Sequence, residues 1–396
     1  MFCQLEVLRH CFPPSVRRIL EELPDSLDET YERILKEIRK PNQGHAHQLL
    51  QCLVAAVRPL RVEELAEVLT FDFNSDGIPK LNLDWRWEDQ EEAVMSACSS
   101  LVIIVKDGGS RIVQFSHFSV KEFLTAKRLA EPIRDVSRYH IRLDAAHTIL
   151  AQACLGVLLR LDDRVDRDNI DDFPLVHYAA RYWATHAQFE NGSSCIKEGM
   201  ECLFDADKPH FATWLWIYNE DRSYDPAMST PSPEKPEAVP LYYAAMLGFR
   251  ELAEHLIAEH PEHLNAKGGM EGIPMHVAAR HGHANILSLL LEHGVDVDER
   301  DASQTPLHRA LLFGKLEAVQ FLLDHGADIS ARHVLDWPPL HFAIRAAVQD
   351  IQVVRLLLER GADVNARDGS GDTPSQCTSQ QDILELLSKY GAGSVQ

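Results

Sequence analysis

The sequence predicts a mainly α-helical protein, in which a helical N-terminal region with one β-hairpin precedes an α-solenoid of paired helices. Three observations lead to this fold class. The length of 396 residues suffices for two or three domains. Residues 224–240 contain five prolines, a composition that breaks helices and separates domains. Beyond this stretch, a short proline-containing motif recurs about every 33 residues, which indicates stacked helical repeats.

The chain begins with amphipathic helices. Residues 1–41 are assigned to N-terminal helices, and Ser26 with Glu29 forms a capping box at the start of one of them. Two further helices are predicted over 45–57 and 62–69.

A β-hairpin follows these helices. Two apolar segments, Leu101–Val105 and Arg111–Phe115, flank the turn signal Asp107-Gly108-Gly109. A helix-turn-helix spacing completed by a hairpin predicts a winged-helix domain over residues 42–130.

Residues 131–223 are predicted to form a helical adaptor. Its helices are expected over 140–161, 174–189 and 202–218, with aromatic spacing typical of core residues rather than of a cofactor site. A proline-rich linker, 224–239, separates the adaptor from the repeats at 240–396.

The repeated motif combines a proline, an apolar residue and, in three copies, a histidine. Its successive prolines are 34, 32, 33 and 35 residues apart, at Pro240, Pro274, Pro306, Pro339 and Pro374. A leucine-rich second helix ends in glycine at Gly294, Gly326 and Gly361, where a left-handed cap is expected. The last unit, Thr373 to Gly391, is expected to shorten its helices and to cap the stack.

The hexapeptide Thr305-Pro-Leu-His-Arg-Ala310 resembles the ankyrin motif Thr-Pro-Leu-His-x-Ala. The predicted fold class is therefore a winged-helix and helical N-terminal region followed by an ankyrin-repeat α-solenoid of about five repeats, the last one degenerate. The resemblance implies that the motif histidines His276, His308 and His341 bond one repeat to the next rather than hold a metal. It also implies protein binding through a concave face and a row of hairpin tips.

The hairpin tips carry the candidate partner-binding residues, which are Arg300, Arg332, His333, Trp337 and Arg367. Trp337 stands where ankyrin repeats usually place a variable, partner-facing side chain. If exposed, its ring would anchor an interface. The alternative is that the ring folds back over a neighbouring hairpin, and the sequence leaves both interpretations open.

Charge and composition argue against several classes of partner. The formal net charge of −21 repels nucleic acid and anionic lipid, and the predicted helix 62–69 carries three glutamates and no basic residue. Winged-helix DNA binding is thus the least favoured function. The longest apolar stretch, 149–161, is too short to span a membrane, and no signal segment opens the chain, so a cytoplasmic protein is expected. The eight cysteines form no Cys-x-x-Cys pair and are expected to be free thiols.

The segment Val113–Leu124 runs from a strand through His117 into a helix predicted to be capped by Ser119. It is similar to the winged-helix histidine motif of NACHT-type signal-transduction ATPases, and residues 23–35 and 58–69 resemble fungal NACHT proteins with ankyrin tails. The resemblance implies that His117 contacts bound ADP.

No G-x-x-x-x-G-K-[ST] motif occurs in the sequence, so the nucleotide-binding core of that family is absent from it. The alternative role for His117 is a packed, hydrogen-bonded histidine at the strand-to-helix junction. Because the first residues resemble the inside of a helix, the chain is expected to be a truncated paralogue or an incomplete gene model.

The function predicted from these patterns is that of a non-catalytic protein scaffold. The ankyrin repeats bind one protein, and the winged-helix part is a regulatory remnant that contacts another, for which a NACHT-type ATPase in trans is one candidate. The alternative is one part of a nucleotide-dependent switch whose ATPase core lies upstream or on another chain. No catalytic motif, metal site or cofactor is predicted.

Overall fold

A computed structural model gives the fold of two compact units, residues 1–234 and 235–396, which are described separately. The predicted linker lies outside the described residues apart from Val239, and so do residues 1–25 of the predicted N-terminal helices. The described residues are 26–73, 77–131, 135–162, 164–166, 168–189, 194–220, 239–268, 272–301, 303–346 and 350–392.

The described part of the first unit contains nine α-helices. They are α1 (Leu27–Glu37), α2 (Gln43–Ala55), α3 (Val62–Val68), α4 (Gln90–Cys98), α5 (Phe118–Thr125), α6 (Leu143–Leu158), α7 (Val176–Ala187), α8 (Ser194–Leu203) and α9 (His210–Glu220). Ser26 caps α1, as predicted, because its hydroxyl accepts a hydrogen bond from the amide of Glu29.

The predicted β-hairpin is confirmed. Strands β4 (Val102–Asp107) and β5 (Ser110–Phe115) pair antiparallel, and the short strand β1 (Leu60–Arg61) pairs with the other edge of β5. The turn uses Gly108 and Gly109 at φ of 54° and 94°, a conformation that a hairpin of two turn residues requires and that glycine adopts without strain.

Two elements lie where the sequence patterns made no prediction. Strands β2 (Phe71–Asp72) and β3 (Lys80–Leu81) form a second small hairpin, and helix α4 follows it. Helix α4 packs on α2 and α3, so this segment builds one side of the winged-helix region.

The helical adaptor centres on the packed pair α6 and α7. One prediction here is wrong, because residues 202–218 are not a single helix. Helix α8 ends at Leu203, the Asp205 carboxylate accepts a hydrogen bond from the amide of Asp207, and Pro209 precedes α9. An aspartate turn followed by proline interrupts a helix, since proline disfavours helical backbone at the residue before it. The aromatic core is confirmed by the buried rings of Trp183 and Trp214, 5.8 Å apart.

The second unit is the predicted stack of helix pairs. Its helices are α10 (Pro240–Leu247), α11 (Arg250–Glu259), α12 (Pro274–His281), α13 (Ala284–Glu292), α14 (Pro306–Leu312), α15 (Leu316–Asp324), α16 (Pro339–Arg345), α17 (Ile351–Glu359) and α18 (Gln381–Lys389). The first helices pack on one another along the stack, as do the second helices.

The sequence signals of the repeats coincide with helix ends. Each of the first four helix pairs starts with proline at the first helical position, where its missing amide hydrogen is not needed. Gly294, Gly326 and Gly361 have φ of 83°, 89° and 90°, so the predicted left-handed caps are confirmed. The last unit corrects one expectation. Its first helix shrinks to the single 3-10 turn Pro374–Gln376, but α18 has nine residues, as do the second helices α13, α15 and α17.

Candidate partner-binding surface

Three of the loops that connect successive ankyrin-type units carry every partner-binding residue predicted from the sequence. One backbone hydrogen bond closes each loop: the amides of Asp301, His333 and Asp368 donate to the carbonyls of Gln304, Trp337 and Asp372. We call them loops 1, 2 and 3, spanning residues 295–305, 327–338 and 362–373. Because this hydrogen bond restrains the backbone of each loop, the loop tip has a defined position on the surface.

The three predicted arginines form a ladder across these loops. Arg300 Nη2 donates to the Arg332 carbonyl at 2.9 Å, and Arg332 Nη1 donates to the Arg367 carbonyl at 3.1 Å. Arg367 Nη1 donates to the Gly371 carbonyl at 2.7 Å within its own loop. The guanidinium groups of Arg300 and Arg332 thus hold neighbouring loops in register, a structural role that was not predicted for them from the sequence.

Loop 2 presents two aliphatic side chains that the sequence analysis missed. Val334 is 60% exposed and Leu335 is 54% exposed. Loop 1 has Ser303 and loop 3 has Ser370 in comparable places. An aliphatic pair at a tip that is polar in the neighbouring loops is therefore the sequence feature that could have identified this surface. Exposed aliphatic side chains on an ordered loop are the kind of apolar patch that partners cover.

The backbone of loop 2 fixes the position of this pair. His333 Nδ1 accepts a hydrogen bond from the amide of Leu335 at 3.1 Å. Asp336 has φ of 57°, a left-handed conformation that is uncommon outside glycine, and its carboxylate pairs with Arg332 at 3.0 Å. This conformation costs on the order of 1 kcal/mol, and the His333 hydrogen bond and the Arg332–Asp336 ion pair restrain the turn on which Val334 and Leu335 are exposed.

Trp337 is half-buried against its own unit. Its ring centroid lies 6.1 Å from that of His333 and 6.2 Å from that of Phe342. The Arg345 guanidinium stacks over the ring at 4.9 Å, which adds a cation–π contact. The indole therefore supports loop 2 from below and leaves part of its surface beside the aliphatic pair.

The motif histidines form two different kinds of hydrogen bond. In two of them Nε2 reaches the next unit: His276 lies 3.1 Å from the Gln304 carbonyl and His341 lies 2.9 Å from the Asp372 carbonyl, as predicted. In His308, Nδ1 instead lies 2.9 Å from the Thr305 hydroxyl of its own unit. The difference follows from the sequence, because isoleucine and proline occupy the threonine position in the other two motifs.

One group of side chains has the composition of a metal site, but an arginine guanidinium already occupies the space between them. Ligand atoms of His341, Asp368 and Cys377 lie within 4.8 Å of one another. Arg345 Nη2, however, lies 2.9 Å from the Asp368 carboxylate and 3.0 Å from the Cys377 sulfur. The preceding unit repeats the ion pair with Arg309 and Asp301 at 2.7 Å. The cluster is thus a structural ion pair between units.

His117 lies at the surface of the first unit and caps helix α5. Its Nδ1 accepts a hydrogen bond from the amide of Ser119 at 3.2 Å, so the predicted cap at Ser119 is wrong by two residues. The Ser119 hydroxyl lies 2.6 Å from the same nitrogen and 2.8 Å from the Tyr31 hydroxyl. The ring of His117 is exposed and is 4.3 Å from the ring of Phe118, which is 71% exposed.

Helix α3, the helix that would read DNA in a winged-helix regulator, is buried. Every residue of α3 except Glu63 is buried. The glutamates are neutralised rather than solvated: Glu64 pairs with Arg58 and Arg61, Glu67 with Arg86, and Glu63 with Arg111. A buried helix cannot enter a major groove, so this geometry argues against groove recognition by α3 more directly than its charge does.

Comparisons with known proteins agree with these two architectures. Residues 241–333 match the family described as ankyrin repeats (3 copies), and residues 336–369 match the family described as ankyrin repeat. Residues 31–133 match the family described as GPI inositol-deacylase, winged helix domain.

One curated relative is the azaphilone pigments biosynthesis cluster protein L of Monascus ruber, which is 33% identical over 294 residues. The match covers 70% of this chain, and the chain spans 61% of the length of that relative. In the part of the chain that the structure describes, the helices lack the length and apolarity needed to cross a membrane. The chain thus combines a winged-helix domain of the GPI inositol-deacylase type with C-terminal ankyrin repeats, which are non-catalytic interaction modules.

Proposed function

We propose that the protein is a non-catalytic, cytoplasmic scaffold whose ankyrin loops bind a protein partner. The observation that carries this proposal is the exposed aliphatic pair Val334 and Leu335 at the tip of loop 2. Of the five residues selected from the sequence, Arg332, His333 and Trp337 flank the pair in loop 2, and Arg300 and Arg367 lie on the neighbouring loops, where each is hydrogen-bonded to Arg332. In this proposal they position the tip, and their exposed edges form the rim of the contact.

The energetics favour a contact centred on the tip. Burying one aliphatic side chain of this size stabilises a complex by about 1.5 kcal/mol or more. The arginine ladder and the His333 hydrogen bond order loop 2 before a partner arrives. Since binding then costs little additional loop entropy, more of the burial energy appears as affinity.

Replacing both Val334 and Leu335 by aspartate is expected to weaken partner binding about a hundredfold, because the contact loses two buried aliphatic groups and gains two charges. Proteins captured from a cell extract by the full chain are compared with those captured by the double variant, using quantitative mass spectrometry.

The control is Leu316→Asp, which introduces one of these carboxylates at an exposed leucine at the start of α15, away from the loop tips. Proteins that bind the tip are retained by the parent and by Leu316→Asp but lost from the double variant. If the double variant captures the same proteins at the same level, the proposed surface is wrong.

For the first unit we propose a regulatory role related to that of NACHT-type signalling ATPases, whose nucleotide-binding core this sequence lacks. The exposed ring of His117 supports the second candidate function, in which the unit is part of a nucleotide-dependent switch. The hydroxyl and the amide of Ser119 occupy Nδ1, so Nε2 is the ring nitrogen that a nucleotide on an ATPase core, upstream or on another chain, would meet.

The switch, unlike the scaffold proposal, requires the first unit to contact a nucleotide. The chain alone is expected to show no change in melting temperature with millimolar ADP or ATP and magnesium, because it has no phosphate-binding loop. A shift of several degrees that disappears in His117→Ala would contradict the scaffold proposal and support the switch.

A further inference from the structure

The winged-helix region contains a cleft of about 630 Å³ with two exposed tryptophans, which we call the tryptophan cleft. Trp85 is 44% exposed and Trp87 is 51% exposed, and both line the cleft together with Leu69 from the end of α3. The remaining walls come from the first turn of α2 and from α4. Ligand sites in proteins have volumes of roughly 300–1,000 Å³ and mostly apolar walls.

The residue between the two tryptophans is anchored in the protein body. Arg86 donates from Nη2 to Glu67 Oε1 at 2.6 Å and from Nε to Glu67 Oε2 at 3.1 Å. It also donates to the Asp172 carbonyl at 3.0 Å, and its backbone is extended. Trp85 ends a 3-10 turn and Trp87 directly follows Arg86, so anchoring Arg86 fixes the segment that carries both tryptophans, and all three residues line the cleft.

The opposite wall leaves open space because its side chains are small. Ala93 and Ala97 lie one turn apart on α4 and are buried under the cleft. The Asn42 side-chain amide donates to the Ser96 carbonyl at 3.2 Å, which ties the start of α2 to α4. Both walls are thus fixed by contacts within the first unit, so the space between them is preformed.

We propose that the tryptophan cleft binds a planar, uncharged aromatic molecule of drug-like size. Two tryptophans favour offset or edge-to-face contact with another aromatic ring, and the alanine floor leaves room for a flat body. Asn42, His45, Asp84 and Ser96 at the cleft supply hydrogen-bonding groups for its polar substituents.

Charge and size favour this class of ligand over ions. The guanidinium of Arg86 is already paired with the buried Glu67 carboxylate, so it does not attract an anion into the cleft. An ammonium group bound by aromatic rings and Asp84 would fill only a small part of 630 Å³. An uncharged aromatic molecule uses the full cleft and the apolar floor.

The test uses the neutral dye N-phenyl-1-naphthylamine with the full chain. We expect dye fluorescence to rise and saturate at one site per chain, with quenching of tryptophan emission. Trp85→Ala and Trp87→Ala are each expected to raise the dissociation constant about tenfold or more. Ser96→Phe, which places a ring in the cleft from an exposed position, is expected to abolish the signal.

Phe118→Ala is the matched control, since it removes an exposed aromatic ring of the same unit outside the cleft and leaves binding unchanged. Circular dichroism and melting temperature show whether each variant is folded, and because these side chains are exposed we expect all four to fold. Binding that persists in the tryptophan variants and Ser96→Phe, or that falls equally in Phe118→Ala, would overturn the proposal. Displacement of the dye by choline or by a proline-rich peptide, but not by uncharged aromatic compounds, would also overturn it.

Discussion

Replacing Glu64 by glutamine is expected to lower the free energy of unfolding of the first unit by about 3 kcal/mol. The Glu64 carboxylate is fully buried and accepts four hydrogen bonds from arginines: two from the Arg58 guanidinium, one from Arg61 Nε and one from the Arg61 amide. A neutral amide satisfies fewer of these donors and leaves two cations without their counter-charge. Breaking a buried pair on one side costs more than the pair contributes when intact.

The position of Glu64 explains why the effect extends beyond helix α3. Arg61 also donates to the Pro174 carbonyl, and Arg58 stacks over the Tyr178 ring at 4.9 Å. The carboxylate thus orients two side chains that join the winged-helix region to the adaptor helices. Burial by itself raises the pKa of Glu64, but the hydrogen bonds and charges of Arg58 and Arg61 outweigh burial and hold this pKa below its usual value. Glu64 is therefore charged at neutral pH, where the measurement is made.

Urea denaturation followed by tryptophan emission measures this change, because five of the six tryptophans lie in the first unit. The control is the neighbouring Glu63→Gln. Its partner Arg111 is substantially exposed, so removing this ion pair is expected to destabilise the unit far less than Glu64→Gln does. Similar losses for the two variants would show that the buried network of Glu64 does not stabilise the unit as argued.

The contrast between these two glutamates also shows what a local sequence pattern can predict and what it cannot. Helix α3 was predicted within one residue, and its three glutamates predicted that nucleic acid would be repelled, but the sequence pattern did not indicate that arginines pair with these glutamates. The arginines that neutralise them come from separate places: Arg58 and Arg61 precede the helix, Arg86 follows the second hairpin and Arg111 lies on β5. Ion pairs between distant segments produce no periodic pattern in the sequence, so a local pattern could not distinguish a buried charge from an exposed one.

The ankyrin repeats were the most predictable part because their signals are local. Proline, the small alanine and the terminal glycine each fix a turn or a close contact within a few residues. The surfaces proposed for binding were less predictable. The row of loops followed from the repeat, but the ladder role of Arg332 and the exposure of Leu335 depend on how adjacent loops meet. The tryptophan cleft depends on Arg86 reaching Glu67, 19 residues away.

Acidification from about pH 7 to about pH 5 is expected to destabilise the ankyrin repeats, with about 2 kcal/mol coming from His308 alone. The pKa of His308 is lowered from a usual value of 6.5 to about 4, chiefly by burial and then by His333 and Arg300, while the Trp337 backbone and Asp301 oppose the shift. Burial also lowers the pKa of His276 and of His341. Between the folded and unfolded pKa values the unfolded chain binds more protons, so stability is complete above about pH 6.5 and falls as the pH approaches the folded pKa.

Hydrogen exchange of peptides from α14 and α15 in urea, corrected for intrinsic rates, measures this loss separately from the first unit. His308→Asn removes the titrating ring and is expected to be less stable at neutral pH but less sensitive to acid. His325→Asn, at an exposed position after α15 in the same unit, is expected to keep the acid sensitivity of the parent chain. An unchanged pH dependence in His308→Asn would mean that the acid response arises from other groups, because this variant has no titrating side chain at position 308.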